Sequence, residues 1–214
     1  MNVIADNLDI YLEGMRRTAE LSVFSFVIAL ALGTLIAALR VSPVPPLRWA
    51  AATYVELVRN TPLLVLMFLF VFGFPSLGFR YSFYASAIIV LTAYTATFVA
   101  ETVRSGINAV AKGQVEAARS IGLTFPGLLR IIVLPQALRT VVAPLGGIFI
   151  ALLKNSSLAV VIAVPELTAA AERVGTLSAR FIPAYLGAAA AYLLMTIPSG
   201  VAVGWLERKV AIKR

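Results

Sequence analysis

The residues most able to do chemistry in this chain lie in or beside long apolar stretches. One apolar region is interrupted by Lys154-Asn155-Ser156-Ser157, and another ends with Glu101. Polar groups inside a membrane are costly and usually face a cavity or another protein surface, and a broken helix at that depth can donate hydrogen bonds to a ligand carboxylate. These residues are candidates to bind a polar ligand, although they could equally cap helices or hold them together.

The residue inventory excludes several kinds of catalysis. The chain has no Cys and no His, which rules out thiolate chemistry, disulfides and imidazole-metal sites. No glycine is followed by lysine, so a Gly-x-x-x-x-Gly-Lys-Ser/Thr phosphate loop does not occur. A membrane enzyme would need a convergent acid-base or nucleophile set, and only scattered Ser and Glu remain for it. We expect no catalytic residues, no metal and no cofactor bound by this chain.

The composition predicts a membrane protein. Hydrophobic residues make up 60% of the 214 positions and charged residues 13%. A spanning helix needs about 20 mainly apolar residues, and several stretches meet that length. We expect one all-α membrane domain over residues 1–214. Its elements are an interfacial amphipathic helix (3–17), five spans (20–40, 55–75, 81–103, 136–163, 182–206) and a loop (108–134) between spans 3 and 4.

The distribution of basic residues predicts the topology. Lys and Arg accumulate in loops that stay cytoplasmic, so the net charge of +8 does not require a nucleic-acid partner here. An outside N-terminus and an inside C-terminus leave five basic residues outside: Arg16, Arg17, Arg80, Arg173 and Arg180. The same topology puts twelve inside: Arg40, Arg48, Arg59, Arg104, Lys112, Arg119, Arg130, Arg139, Arg208, Lys209, Lys213 and Arg214. The flanks of span 1 are a tie, so the prediction depends on the later loops.

The long hydrophilic loop between spans 3 and 4 carries the sharpest motif. Its sequence predicts a helix from Gln114 to Ile121, a stop at Gly122 and a second short helix that reaches Leu134-Pro135. Small alanines beside an acidic residue make a low-profile plug that could sit in a groove of another protein. By itself this pattern fits a docking element and a simple solvated loop equally well.

The loop resembles the cytoplasmic motif of the permease subunits of ATP-binding-cassette importers. The match covers seven spaced positions, which are Glu116, Ala117, Ala118, Gly122, Ile132, Leu134 and Pro135. In that family the loop is similar to a coupling helix that inserts into a cleft on the nucleotide-binding subunit. The resemblance implies a dimer of ATP-binding subunits that carries the ATP and Mg²⁺, an extracytoplasmic binding protein and a second permease subunit, identical or related.

The resemblance extends over nearly the whole chain. The segments 56–64, 93–107, 134–139 and 153–158 look like the branch that carries polar amino acids, and residues 100–104 look nearer to glutamate, glutamine and aspartate carriers. A bacterial inner-membrane permease for polar amino acids is therefore expected. A zwitterion needs both charges, so Glu101 and Lys154 are the candidates for its ammonium and carboxylate. The neutral candidates on this path are Asn60, Thr61, Asn155, Ser156 and Ser157.

The sequence leaves two alternative functions open. A permease of another importer branch, for methionine or an inorganic anion, would share the loop but not the patterns of spans 2 and 4. A secondary transporter is disfavoured by five spans, no evident inverted repeat and few intramembrane carboxylates.

Overall fold

The computed structural model of the protein describes residues 3–210, apart from the side chains of Phe125, Pro126 and Leu129. Within that range the fold is entirely helical, with no strand. The expected inner charges Lys213 and Arg214 lie outside the described residues. The α-helices are α1 (Leu8–Arg40), α2 (Pro45–Asn60), α3 (Leu63–Phe68), α4 (Phe83–Asn108), α5 (Lys112–Ser120), α6 (Phe125–Leu128), α7 (Leu134–Asn155), α8 (Leu167–Ser178) and α9 (Phe181–Val210).

The first helix is longer than the sequence suggests. Residues 3–17 were expected to form a separate interfacial helix, but α1 runs unbroken for 33 residues from Leu8. Two features explain the difference: residues 8–40 contain no proline, and Tyr11 is buried, with its hydroxyl donating to the Ala184 carbonyl oxygen of α9 at 2.8 Å. The first turns of α1 are therefore packed against another helix of the bundle.

Span 2 is bent sharply instead of continuous over 55–75. Pro45–Asn60 and Leu63–Leu77 meet at 106°, because Thr61 and Pro62 adopt extended backbone and Pro62 has no N–H to donate to a helix. After α3 the helix widens into a π-helical turn, Leu69–Gly73, and then tightens into a 3₁₀ turn, Phe74–Leu77. Four unbroken helices of the described chain are long and apolar enough to span a membrane, and the bent pair makes a fifth span if it crosses as one.

The most extensive contact between two helices of the bundle is that of α1 with α4. Gly33 of α1 lies so close to α4 that an added Cβ would be 2.6 Å from Val99 and 2.7 Å from the Ala96 carbonyl oxygen. Near the middle of α1, Ser25 contacts Thr92 of α4, and at the end of α1, Arg40 contacts Glu101, which comes later in α4. The two helices are thus parallel, which requires the bent α2 and α3 segment between them to return across the bundle.

The second half of the chain contains one helix that the sequence analysis did not anticipate. After α7 the chain forms a 3₁₀ segment, Ser156–Ile162, and then α8, where only a connection between spans was expected. Alanines in left-handed backbone end both of these helices: Ala163, with φ 57°, ends the 3₁₀ segment, and Ala179, with φ 53°, ends α8. Span 3 also ends later than expected, so Glu101 lies within α4 and not at its end.

Candidate functional site

The expected helix-turn-helix elbow, residues 112–133, is present between α4 and α7. Helix α5 ends in a Schellman motif: Gly122 N–H donates to the Arg119 carbonyl oxygen at 3.0 Å, and Leu123 N–H to the Ala118 carbonyl oxygen at 3.1 Å. Gly122 has φ +82°, a left-handed conformation that glycine adopts without steric cost. The turn that sequence analysis placed at Gly122 is therefore built by that residue's backbone.

The elbow has a small core and an exposed outer side. Ala118, Leu128 and Val133 are buried together, with Ile132 packed partly against them. Glu116 and Ala117 are exposed, and Ile121, next to the turn, is 79% exposed. The outer side of α5 thus presents a carboxylate, a small residue and a large apolar side chain to whatever lies beyond the bundle.

The elbow is bonded to α7, and α7 packs closely on α4 beside the elbow. Gln136 of α7 donates a hydrogen bond to Gln114 of α5 at 2.7 Å. Just before the elbow, Gly106 of α4 packs on α7, where an added Cβ would lie 3.2 Å from the Ala137 carbonyl oxygen. Leu134 and Pro135, the last motif positions, form the exposed first turn of α7. A displacement of α5 can therefore be passed to α4 and α7.

Two candidate substrate-path residues of span 2 form hydrogen bonds to the backbone of the helix that precedes the bend. Asn60 donates through Nδ2 to the Glu56 carbonyl oxygen at 2.7 Å, and Thr61 donates through its hydroxyl to the Leu57 carbonyl oxygen at 2.8 Å. Both bonds satisfy carbonyls in the last turn of α2, at the bend. In this conformation the two side chains end a helix.

Glu101 lies in an ion-pair cluster. Its carboxylate contacts the guanidinium of Arg40 at the end of α1 and accepts a hydrogen bond from Arg104 at 2.8 Å. The Arg40 and Glu101 side chains are 14% and 22% exposed. This cluster joins α1 to α4, and it leaves Glu101 with two cationic partners of its own.

The polar run at the end of α7 is divided between two environments. Ser156 is buried and donates to the Leu153 carbonyl oxygen, and Ser157 donates to the Lys154 carbonyl oxygen, both at 2.7 Å. Lys154 is exposed on the surface of the bundle. Asn155 instead lines a cleft between α4 and α7, opposite Thr95. Glu101 lies six residues beyond Thr95, or about 9 Å along α4 at 1.5 Å per residue, so Glu101 and the polar run are at different depths.

A buried polar cluster around Glu166 was not found by sequence reasoning. Glu166 is 1% exposed and caps α8, accepting hydrogen bonds from the Thr168 and Ala169 N–H groups and from the Tyr192 hydroxyl of α9 at 2.8 Å. Leu167 N–H donates to the Thr18 hydroxyl of α1 at 3.0 Å. The cluster fastens α8 to two spanning helices. The only local signal was an acidic residue followed by Leu-Thr-Ala-Ala-Ala, which fits a helix start.

The fold defines a class of transport permease. The structure aligns with the crystal structure of an amino acid ABC transporter with histidines over 96% of both chains, with a TM-score of 0.93 and 31% sequence identity. An inward-facing structure of the MetNI methionine ABC transporter aligns over 96% of both chains with a TM-score of 0.71, but at 21% identity it shows the fold alone.

The chain belongs to the family of inner membrane components of binding-protein-dependent transport systems, whose sequence profile matches residues 29–212. It is 38% identical to the probable glutamine ABC transporter permease protein GlnM of Bacillus subtilis, covering 98% of this chain and 97% of that protein. It is also 38% identical to the glutamate transport system permease protein GluC of Corynebacterium efficiens, covering 92% of each. The chain is therefore a multi-pass transport component of the inner membrane.

Proposed function

We propose that this chain is the permease subunit of an ATP-driven importer of polar amino acids, with glutamine and glutamate as the leading substrates. The support is the near full-length similarity to permeases named for those two substrates. A methionine or inorganic-anion permease is less well supported, because the methionine transporter is similar in fold at much lower identity. The binding protein selects the amino acid and delivers it to the outer face.

The structure of the elbow supports a role in coupling to ATP hydrolysis. Its exposed side combines Glu116, Ala117 and Ile121 on a helix whose end is fixed by Gly122. Its inner side is bonded to α7 through Gln136, and α7 packs on α4 at Gly106. We infer that a dimer of ATP-binding subunits, which carries the ATP and Mg²⁺, grips the exposed side and moves both spanning helices.

The position of the elbow also supports an orientation of the chain in the membrane. The elbow shares one end of the bundle with the C-terminal ends of α1, α4 and α9, and this end contains most of the basic residues. Basic residues accumulate on the cytoplasmic side of membrane proteins. We therefore place the elbow and the C-terminus inside and the N-terminal end of α1 outside, as the sequence predicts.

The substrate path is assigned to the face formed when two permease subunits pair. Lys154 is exposed at the end of α7, and Asn155 opens into the cleft between α4 and α7, so both are free to meet a ligand carboxylate or amide. Asn60, Thr61, Ser156, Ser157 and Glu101 are given a supporting role, since each has a partner within the described chain.

Cysteine labelling tests the coupling assignment, because the chain has no cysteine of its own. Ala117→Cys on the elbow and Thr176→Cys on α8 are both exposed and lie at opposite ends of the bundle. In intact cells a membrane-impermeant maleimide should label Thr176→Cys, and it should label Ala117→Cys only after permeabilisation. Ala117→Cys should also form a cross-link to the ATP-binding subunit. Labelling of Ala117→Cys in intact cells would contradict the assignment.

A separate pair of variants tests the path. Lys154→Ala should reduce the stimulation of ATP hydrolysis by substrate while leaving assembly with the ATP-binding subunits intact, and Lys154→Arg should retain most of that stimulation. Unchanged substrate dependence in Lys154→Ala would remove Lys154 from the path without affecting the coupling assignment.

A further inference from the structure

An apolar groove runs along the surface of the bundle between α1 and α9. The two helices are in contact at one end, where Tyr11 donates to the Ala184 carbonyl oxygen. Towards the elbow end they lie on either side of α7, which forms the floor of the groove. The side chains that line the groove are apolar and come from all three helices, among them Phe26, Leu30, Val142, Leu145, Val203 and Leu206.

The groove is a fixed feature of the packing. Phe26 of α1 meets Phe149 of α7 edge to face, with ring centroids 5.1 Å apart. On the other side Gly146 of α7 lies directly under Val203 of α9, where a Cβ added to the glycine would be 2.9 Å from the Val203 Cβ. Both walls are thus held against the floor by close contacts, and the space between them stays open.

Two cations lie one helical turn beyond the elbow end of the groove. Arg139 lies one turn before Val142 on α7, and Lys209 lies one turn after Leu206 on α9. Helices α7 and α9 are antiparallel, and Gly146 faces Val203. Arg139 and Lys209 therefore lie at nearly the same depth along the bundle axis. Both are exposed, and neither forms an ion pair with a described side chain.

The neighbouring residues mark this level as the membrane interface. The Lys209 ammonium lies 4.9 Å from the ring centroid of Trp205, and tryptophan is enriched where hydrocarbon meets headgroups. Glu207 is the acidic side chain on this turn and offsets one of the positive charges. Arg208 comes two residues after Leu206, about 200° around α9, so it projects from the side of the helix away from the groove.

We propose that the groove binds an anionic phospholipid of the cytoplasmic leaflet, with an acyl chain along α7 and the phosphate at Arg139 and Lys209. A peptide in this groove would leave its backbone polar groups unpaired, because the lining offers almost no hydrogen-bonding partners. A hydrocarbon chain has no such requirement. The cations at one end then select lipids whose headgroup carries a net negative charge.

Native mass spectrometry of the purified full chain, with phosphatidylglycerol or phosphatidylcholine added in detergent, tests the proposal. The chain should retain phosphatidylglycerol preferentially, with roughly fivefold loss of binding for each cation removed in Arg139→Gln and Lys209→Gln. The matched control Arg208→Gln should retain the lipid like the unchanged chain. Equal retention of both lipids, or an equal loss in Arg208→Gln, would overturn the proposal.

Two further variants test the groove itself. Val142→Trp places a large side chain in the groove and should reduce retention of both lipids; unchanged retention in a folded variant would place the acyl chain elsewhere. Leu145→Cys gives the chain a single cysteine in the groove, and it should remain unlinked under oxidation. Disulfide-linked pairs would instead show that a second copy of the chain occupies the groove. Both measurements are independent of ATP coupling.

Discussion

Gly106 of α4 lies directly against Val141 of α7, with no room for a side chain between them. A Cβ added at Gly106 would overlap the Val141 Cγ1 atom and approach the Ala137 carbonyl oxygen. We expect Gly106→Ala to lower the free energy of unfolding by about 1–3 kcal/mol through overpacking. Val141→Ala, combined with it, should recover much of the loss. Thermal unfolding in detergent, followed by circular dichroism, measures both effects.

Gly147→Ala provides the control for this contact, because an added Cβ at Gly147 meets no atom within 4 Å. It should not lower the unfolding temperature and should raise it slightly, because alanine is more favourable than glycine inside a helix. If Gly106→Ala proves as harmless as Gly147→Ala, then α4 and α7 are not in close contact beside the elbow. The mechanical link that we infer between them would then be lost.

Gly122 is the conformational requirement of the elbow. A β-branched residue at φ +82° costs on the order of 1–2 kcal/mol, so Gly122→Val should distort the end of α5 without unfolding the spanning helices. The variant should reach the membrane yet lose ATP hydrolysis coupled to transport. Gly113→Ala, on the same helix with open space around it, should keep normal coupling. Normal coupling in Gly122→Val would remove the docking role from this turn.

Glu101 is predicted to stabilise the bundle. Glu101→Gln leaves the Arg40 guanidinium, only 14% exposed, without its anion and should destabilise the chain by on the order of 2–3 kcal/mol. Glu13→Gln also removes an ion-paired carboxylate, but Glu13 is 51% exposed and screened by solvent, so the loss of stability should be much smaller. Chemical denaturation in mixed micelles compares the two. A stable Glu101→Gln variant with impaired substrate response would return Glu101 to the substrate path.

Glu166 should make the stability of the folded chain depend on pH. Burial raises the pKa of Glu166 above its usual 4.5, against the opposing effect of its hydrogen bonds from Thr168, Tyr192 and Ala169. The folded state then binds this proton more tightly than the unfolded state. The stabilisation is therefore full below about pH 4.5 and is lost as pH rises through the raised pKa.

Glu166→Gln removes this titration. The stability of the unchanged chain relative to the variant should decrease as pH rises, in thermal unfolding curves recorded between about pH 4 and pH 8. The matched control is Glu172→Gln, which removes an exposed carboxylate from the same helix. Parallel pH profiles for Glu166→Gln and the unchanged chain would mean that the Glu166 pKa is the same in both states.

The spanning helices and the elbow were predictable because their signals are local. Apolar length identifies α4 and α9, and Gly122 after a short amphipathic helix marks the turn of the elbow. The bend after Asn60 was only partly predictable, since Pro62 indicates a kink but not its angle of 106°.

The cluster around Glu166 could not be predicted, because it depends on distant partners. Thr18 accepts a hydrogen bond from the N–H of Leu167, which lies 149 residues away in the sequence. Tyr192 donates a hydrogen bond to the Glu166 carboxylate, 26 residues away. The role of Glu101 also depends on Arg40, which only the parallel packing of α1 and α4 brings to it. In both places the chemistry of a side chain is set by tertiary contacts.

We propose that ATP hydrolysis on a separate subunit drives polar amino acids through this chain. Proteoliposomes that contain the chain with its ATP-binding subunits, and to which the binding protein is added, measure this directly across a panel of labelled amino acids. We predict uptake of glutamine or glutamate that requires ATP and the binding protein and persists when ionophores dissipate the proton and sodium gradients. Uptake that proceeds without ATP and collapses with those gradients would show that an ion gradient, and not ATP hydrolysis, drives transport.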